Sequence, residues 1–517
     1  MRVLRAKKDL VFLTSLGVLS VAGVWLLVRS TPFGIGLSWD SFTYITAARG
    51  LLEGIGLGRL SACGPIRPMT GYPPLYPLVL AAIESLGFSA VRAARVVGAL
   101  SFGATILLSG LAVRELTRSA VAALLASILV LSSSILLLVY SWAWSEPLFM
   151  VTTLASALFL SLYFERGSPG MLIASAACLG LALLLRYAGL AFLASFGTAV
   201  ILWTRLHPSD QHLRRWRLLG MGLAVVITPL IAWMIRNIVV AGTPTNRNFA
   251  WHPLGSETFR QLQQTVAGWF LPMRVLAQGQ PYIAVADEPA WGTGVVALLG
   301  VALLSSLVLS WRKSRRIHRP DLVWILSSSI AIYLGFLAVS LMLFDSRIPL
   351  DNRILGPVYL YTLLLIVAGV LALWQRGPGF LRGVVLVACF VLLALAVVQA
   401  DQTVRLLRQD GQGYVSRRWR SSQTIQALTE RKPDLVYTNE IPAVYFGAGL
   451  NSCGVPTRDS LDDLQAMRER LQQAGAVLVL FGEITTEYAT IDQLTEGLSP
   501  VLSVPGDGTI YEDRSAP

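Results

Sequence analysis

Charge is what this sequence has least of. Only 14% of its 517 residues are Asp, Glu, Lys or Arg, against about 25% in a soluble domain, so the chain cannot cover its own surface in water. Cysteine and histidine are scarce too, with four of each and no metal-ligand spacing among them. That scarcity excludes a disulfide-dense scaffold and gives no reason to expect zinc. The composition also excludes disorder and collagen, and the chain has no repeat and no low-complexity segment. What is abundant is apolar: 54% of residues are hydrophobic and the mean hydropathy is +0.61. Much of the surface must face lipid, so the fold class is mainly α, a polytopic membrane protein.

Apolar runs near the ~20 residues that cross a bilayer lie at Leu10–Val28, Val96–Val113, Ser119–Tyr140, Pro147–Phe164, Leu218–Ile235, Trp291–Trp311, Leu322–Phe344, Ile354–Trp374 and Leu381–Ala400. The first has no small-residue cleavage site at its end and reads as a retained span rather than a signal peptide. Six short connections (MRVLRAKKD, RELTR, ERGSPG, TRLHPSDQHLRRWR, RKSRRIHRPD and QRGPGFLRG) hold 18 Lys/Arg against 5 Asp/Glu, which absorbs the whole net charge of +12. The surplus follows the positive-inside rule, and no nucleic-acid footprint is left over. Met171–Trp203 is apolar except for Arg186 and has cation-rich loops on both sides. Two short helices turning at Arg186-Tyr187-Ala188-Gly189 satisfy that charge pattern and spare an arginine the bilayer centre. Leu75–Phe88 follows Pro73-Pro74 and contains Glu84, so it reads as an interfacial or re-entrant helix. The expectation is about eleven spans in the inner (plasma) membrane, N-terminus inside and C-terminus outside.

Residues 1–400 then form a membrane domain, with a first outer loop at 29–95 and a long outer loop at 236–290. Residues 401–517 form a small extracytoplasmic α/β domain. A helical pattern at Ser416–Glu430 precedes a strand at Leu435–Tyr437, a helix at Leu461–Ala474, a strand at Ala476–Phe481 and a hairpin in LSVPGDGTIYE. Cys178 and Cys389 fall in spans as small core residues. Cys63 and Cys453 share the outer side, where thiols oxidise, and the sequence leaves open whether they pair. His207, His212 and His318 lie in inner loops, where solvated or lipid-headgroup roles are the default, and His252 lies outside without a visible partner.

The outer rim carries a more pointed set of polar residues. Asp40, in GLSWDSFTYITAARGLLEG, is either a helix N-cap beside Ser38 or a functional acid. Glu146 in SEP is a plausible first-turn residue ahead of Pro147, and Arg353 in DNRILGP could anchor at the interface. One acid beside each of two outer loops, with arginines on two others, exceeds what caps require. Converged on one cleft, they supply a carboxylate base and cations for a phosphate.

These residues carry a resemblance. W-D-S-x-x-Y-x-x-x-A-R-x-L-x-E-G from Trp39, then GYPPLYP, WSEPLF, LLLRYAGL and DNRILGPVYLY, resemble the integral-membrane GT-C glycosyltransferases, among them the protein O-mannosyltransferases and the lipid A aminoarabinose transferase. The likeness covers roughly residues 10–400. It implies transfer of a sugar from a polyprenyl-phosphate donor to an acceptor glycan, lipid or protein at the outer membrane surface, with inversion. By position, Asp40 matches the general base and Glu146 the acid of the second outer loop. Arg186, Tyr187 and Arg353 would hold the lipid phosphate. Tyr44, Tyr72, Pro73, Pro74 and Asn352 complete the substrate-binding set, the Tyr72–Pro74 stretch shaping the donor groove. Ser41 stands where a second acid can follow the first, so no cofactor is required and a divalent metal at Asp40 and Glu146 is left open. The competing class is a transporter or flippase, which would show charges inside spans and matching halves. The nine clear spans are nearly free of internal charge.

Overall fold

The computed structural model describes residues 2–59, 63, 67–206, 212–269, 289–311, 318–473 and 475–513. The chain opens with α1 (Arg2–Ser30) and α2 (Trp39–Leu52), then a hairpin of β1 (Gly58–Arg59) and β2 (Arg67–Pro68), then α3 (Leu75–Glu84). At 1.5 Å per residue, the ten residues of α3 reach only about half the ~30 Å of a hydrocarbon core, which suits an interfacial or re-entrant element. Next come α4 (Ala90–Thr117), α5 (Ala120–Leu131), α6 (Ser134–Tyr140) and α7 (Glu146–Arg166). The α5–α6 run bends by 58° after Leu131, and Ser133 restarts it by accepting from the Leu136 N–H at 3.2 Å. α8 (Pro169–Leu185) and α9 (Gly189–Leu206) break at 186–188, where the charge argument required it. The membrane part ends with α10 (His212–Ala241), α11 (Ser256–Gly268), α12 (Pro289–Trp311), α13 (Pro320–Leu343), α14 (Gly356–Arg376) and α15 (Gly379–Asp410).

Among the described residues, eight helices are long and apolar enough to cross a membrane, nine with the bent pair. The two remaining expected spans fall on α8, a shorter apolar helix, and on α12, whose described apolar stretch is Gly294–Ser306, so the described residues give eight or nine such helices and not eleven. Small residues let the helices approach closely. A Cβ on Gly103 of α4 would come within 2.9 Å of the Ser20 carbonyl on α1, and the Ser20 hydroxyl donates to the Gly103 carbonyl at 2.8 Å.

Three of the cation-rich connections meet at one end of the bundle. Arg319, 5% exposed, pairs with Glu115 at 2.9 Å, Glu165 at 2.7 Å and Asp321 at 3.1 Å, and Arg118 joins Glu165 at 3.0 Å. Glu146 opens α7 at the other end, about 30 Å away along the helix. His207 lies outside the described residues, as do residues 270–288 of the long outer loop.

Beyond α15 the tail runs α16 (Arg417–Arg420), α17 (Gln423–Arg431), β3 (Leu435–Thr438), α18 (Ile441–Ala448), β4 (Cys453–Gly454), α19 (Leu461–Leu471), β5 (Ala476–Phe481), α20 (Ile491–Thr495), β6 (Leu498–Val504) and β7 (Gly508–Asp513). Its sheet has the order β4-β3-β5-β7-β6, with β3 parallel to both neighbours and β6–β7 an antiparallel hairpin. β5 is buried at every residue, as a continuous apolar strand inside a sheet should be. Three details differ from the sequence expectation. α15 continues past residue 400 to Asp410. The expected helix Ser416–Glu430 is two helices, because Ser422 leaves the helical path to cap α17 through the Ile425 N–H at 3.0 Å. α18 and the two-residue β4 have too little pattern to be read in advance.

The tail packs on the site end of the membrane part. The Tyr414 N–H donates to the Leu37 carbonyl at 3.0 Å. Gly413 beside it has φ +55, and a Cβ there would collide with that same carbonyl. Phe42 of α2 packs edge-on against Tyr445 and Phe446 of α18, and Arg49 donates to the Tyr445 hydroxyl at 2.6 Å.

Candidate active site

The site is built on helix starts and turns at one end of the bundle. α2 begins with a capping box in which Ser38 accepts from the Ser41 N–H and Ser41 accepts from the Ser38 N–H. Ser38, not Asp40, is therefore the N-cap. Asp40 sits in the first turn, where the helix dipole favours a carboxylate, and its side chain has other partners. Ser41 also donates to the Ala143 carbonyl at 3.0 Å, and the Trp144 indole donates to Ser38 at 2.8 Å. These bonds fasten α2 to the turn that ends at Glu146. A carboxylate in place of Ser41 could not make the donation to Ala143.

Asp40, Glu146, Arg186 and Arg353 converge from α2, the start of α7, the α8–α9 turn and the α13–α14 connection. Arg353 bridges the two acids, its Nε to Glu146 and its Nη2 to Asp40. Arg186 pairs with Glu146 as well, through the same carboxylate oxygen, Oε1. The Glu146 side chain is 2% exposed, while Asp40 at 20% and Arg353 at 17% keep some access. A carboxylate so deeply buried is tolerable only because two guanidiniums reach it. Arg353 also lies over the Trp144 ring at 4.4 Å, a cation–π contact, and Asp351 accepts from the Arg353 and Ile354 N–H groups at 3.0 Å each. Burial works against the Asp40 charge, but Arg353, the Tyr72 hydroxyl and Arg186 outweigh it and hold the carboxyl below its usual range.

Tyr72 donates to Asp40 at 2.5 Å. Tyr44 shares a 3.3 Å hydrogen bond with Ser145, whose hydroxyl donates to Glu146 at 3.4 Å. The buried Pro73 and Pro74 lead from Tyr72 into α3. Two expected residues lie apart from the cluster. Tyr187 donates to the Thr70 carbonyl at 3.0 Å and accepts from the Trp233 indole at 3.1 Å, so its hydroxyl serves the first outer loop. Asn352 accepts from the Trp269 indole at 3.0 Å. Trp269 and Leu355, two residues beyond Arg353, line an apolar groove of ≈ 690 Å³ that runs beside α14 against α12 and α13.

The donor set fits a guanidinium better than a metal ion. Arg353 occupies the position between Asp40 and Glu146 that a bridging divalent cation would need. Among the described residues, no three His, Cys, Asp or Glu side chains converge in a way that could hold one.

Trp144, Ser145 and Arg236 were not singled out from the sequence. Trp144 carried a signal in the WAWSEP stretch beside Glu146. Arg236 carried none beyond its place at the end of a span, yet it donates to the Met69 carbonyl at 2.9 Å and the Leu57 carbonyl at 3.2 Å.

The architecture is that of the membrane GT-C glycosyltransferases to which the sequence motifs pointed. The model of the dolichyl-phosphate-mannose-protein mannosyltransferase family matches residues 63–244. ArnT from Cupriavidus metallidurans bound to undecaprenyl phosphate has a similar structure, with a TM-score of 0.61 and 17% identity over 96% of this chain and 98% of that one. The same protein in the apo state gives 0.60 at 17% identity, covering 98% of each chain. The mycobacterial arabinofuranosyltransferase AftD matches with a TM-score of 0.51 and 15% identity over 96% of this chain but 39% of its own length. At these identities the likeness establishes the fold. No curated protein matches the sequence.

Proposed function

We propose that the protein is a glycosyltransferase of the inner (plasma) membrane that moves a hexosyl or pentosyl group from a polyprenyl-phosphate donor to an acceptor hydroxyl on the outer face. The observation that carries this reading is Arg353 shared between Asp40 and Glu146, with Arg186 on Glu146. A glycosyl phosphate is already activated, so its transfer needs only charge compensation at the leaving phosphate and a base at the acceptor. The donor phosphate competes with the two carboxylates for Arg186 and Arg353, and as Arg353 turns to it, Asp40 is released. The acceptor oxygen then attacks the anomeric carbon from the face opposite the phosphate, and its proton passes to Asp40. The carbon–oxygen bond to phosphate breaks with its electron pair, and the guanidiniums hold the lipid phosphate that leaves. The product is inverted at that carbon, and no step needs a metal ion.

Several observations support the donor and the orientation. The apolar groove beside Trp269 suits a polyprenyl chain, and undecaprenyl phosphate is the lipid bound to ArnT, whose fold this chain shares. A disulfide between Cys63 and Cys453 belongs in an oxidising compartment, and the Arg319 cluster places cation-rich loops at the opposite end.

The test uses purified protein in vesicles with labelled polyprenyl-phosphate sugars and an acceptor fraction from the cell envelope. Appearance of label in the acceptor with release of polyprenyl phosphate is the expected result. Movement of the intact donor between leaflets without transfer would favour the flippase reading instead.

A further inference from the structure

Arg236 sits near the site end of α10, stacked on Trp233 at 4.7 Å. Its guanidinium reaches out of the helix to the first outer loop. One Nη donates to the Met69 carbonyl at 2.9 Å and to the Asn237 side chain at 3.0 Å, and the other donates to the Leu57 carbonyl at 3.2 Å. Leu57 and Met69 flank the two short strands on opposite sides and are themselves joined by the Met69 N–H to the Leu57 carbonyl at 2.9 Å. The fork therefore pins both legs of the hairpin at its open end. Tyr187 fastens the next residue through the Thr70 carbonyl. Two residues further, Tyr72 donates to Asp40. The rings of Tyr72, Tyr187 and Trp233 and the side chains of Ala47, Leu57 and Met69 pack as one cluster, so little slack separates the clamp from the Tyr72 hydroxyl.

We propose that Arg236 is a positioning residue: by holding the Leu57 and Met69 carbonyls it fixes the loop that presents the Tyr72 hydroxyl to Asp40. This rests on the reading of Asp40 as the base. A two-residue hairpin has no stability of its own, and a short hydrogen bond to a carboxylate is lost with small displacements. A planar guanidinium suits the task because it offers donors in a fixed fork to two carbonyls at once, which an ammonium does not.

The charged and titratable groups facing Asp40 are Tyr72 from the loop, Tyr44 from its own helix, Glu146, Arg186 and Arg353. Tyr72 is the member of that set that the clamp controls. Its hydrogen bond favours the ionised carboxylate, so losing it moves the acid limb of the pH–rate profile to higher pH.

The experiment compares full-length Arg236→Met, Tyr72→Phe and the double variant in turnover of a polyprenyl-phosphate-linked sugar that the wild type consumes. Each single change should lower kcat by roughly tenfold with KM little altered, as expected when a hydrogen bond to a charged group is lost. Both should shift the acid limb in the same direction, and the double variant should be no slower than the worse single one. Arg236→Lys should recover part of the rate and, if Arg236→Met fails to fold, carries the comparison in its place. A wild-type acid limb in the Arg236 variant, or losses that multiply in the double variant, would overturn the proposal. Hydrogen exchange of residues 67–72 reads the clamp without activity: the Arg236 variants should accelerate it and Asp40→Asn should not. Unchanged exchange also contradicts the clamp. A fully active Asp40→Asn instead removes the base assignment on which the clamp's purpose depends.

Discussion

Cys63 of the first outer loop and Cys453 of the tail sheet are joined by a disulfide across 390 residues of sequence, with their Cα atoms 5.5 Å apart. The bond ties the loop that carries Tyr72 to the domain that packs on α2. A crosslink closing so long a loop stabilises chiefly by restricting the unfolded chain, by about 2–4 kcal/mol in typical cases. Reduction, or Cys63→Ser, should therefore lower the melting temperature of the purified protein, and Cys453→Ser should match it. Thiol labelling of protein from cells should find Cys63 and Cys453 protected until reductant is added. Ready labelling without reductant would contradict an extracytoplasmic tail.

Arg353 makes three different contacts with one planar group: Asp40, Glu146 and the face of Trp144. Arg353→Lys keeps a charge but cannot bridge two acids over a ring. It should retain a minor part of the activity, and Arg353→Ala should lose more, at least about 100-fold in kcat/KM if a phosphate clamp is gone. Steady-state kinetics with the lipid-linked donor checks both. Wild-type activity in both variants would remove Arg353 from the site.

Chelation supplies an independent check on the Arg353 bridge. With a guanidinium between Asp40 and Glu146, transfer by protein treated with EDTA and desalted should continue at the original rate. A loss restored by one divalent cation would mean that Arg353 yields its place to a metal during the reaction.

Orientation can be read with a reporter active only in the cytoplasm. Fused after Arg118 it should be active, and fused after Gly242 or Gly411 it should be silent. Activity at Gly411 would put the tail, and the site it touches, on the wrong side for the proposed donor.

Much of this molecule was legible in its sequence because hydropathy and charge act over long windows. Apolar runs and arginine-rich loops placed the helices, including the break before Gly189 that spares Arg186 the bilayer centre. The candidate acids and arginines were legible because ionisable residues at the edge of apolar runs are costly without a use. Their pairing was not. That Ser38 rather than Asp40 caps α2 depends on backbone geometry that both residue types can serve. Tyr187 sits beside Arg186 in sequence but serves a different segment, since its hydroxyl meets the Thr70 carbonyl. Arg236 was invisible because its partners in the first outer loop are backbone carbonyls, which every sequence supplies. The Cys63–Cys453 pair could not be distinguished from two free thiols, because nothing local in the sequence reports that the tail folds back onto the first loop.

The central claim is that Asp40 takes the acceptor proton, and one isosteric change tests it most directly. In Asp40→Asn the Ser38 cap remains and Arg353 keeps Glu146, so the protein should insert, fold and still bind the lipid-linked donor. Asparagine cannot accept the proton, and losing a general base typically costs about 100-fold or more in turnover. The measurement is the single-turnover rate of sugar transfer by purified Asp40→Asn with donor binding measured in parallel. The account predicts near-normal donor binding with transfer slowed by at least about 100-fold. Transfer at the wild-type rate would contradict it and leave Asp40 as a structural partner of Arg353.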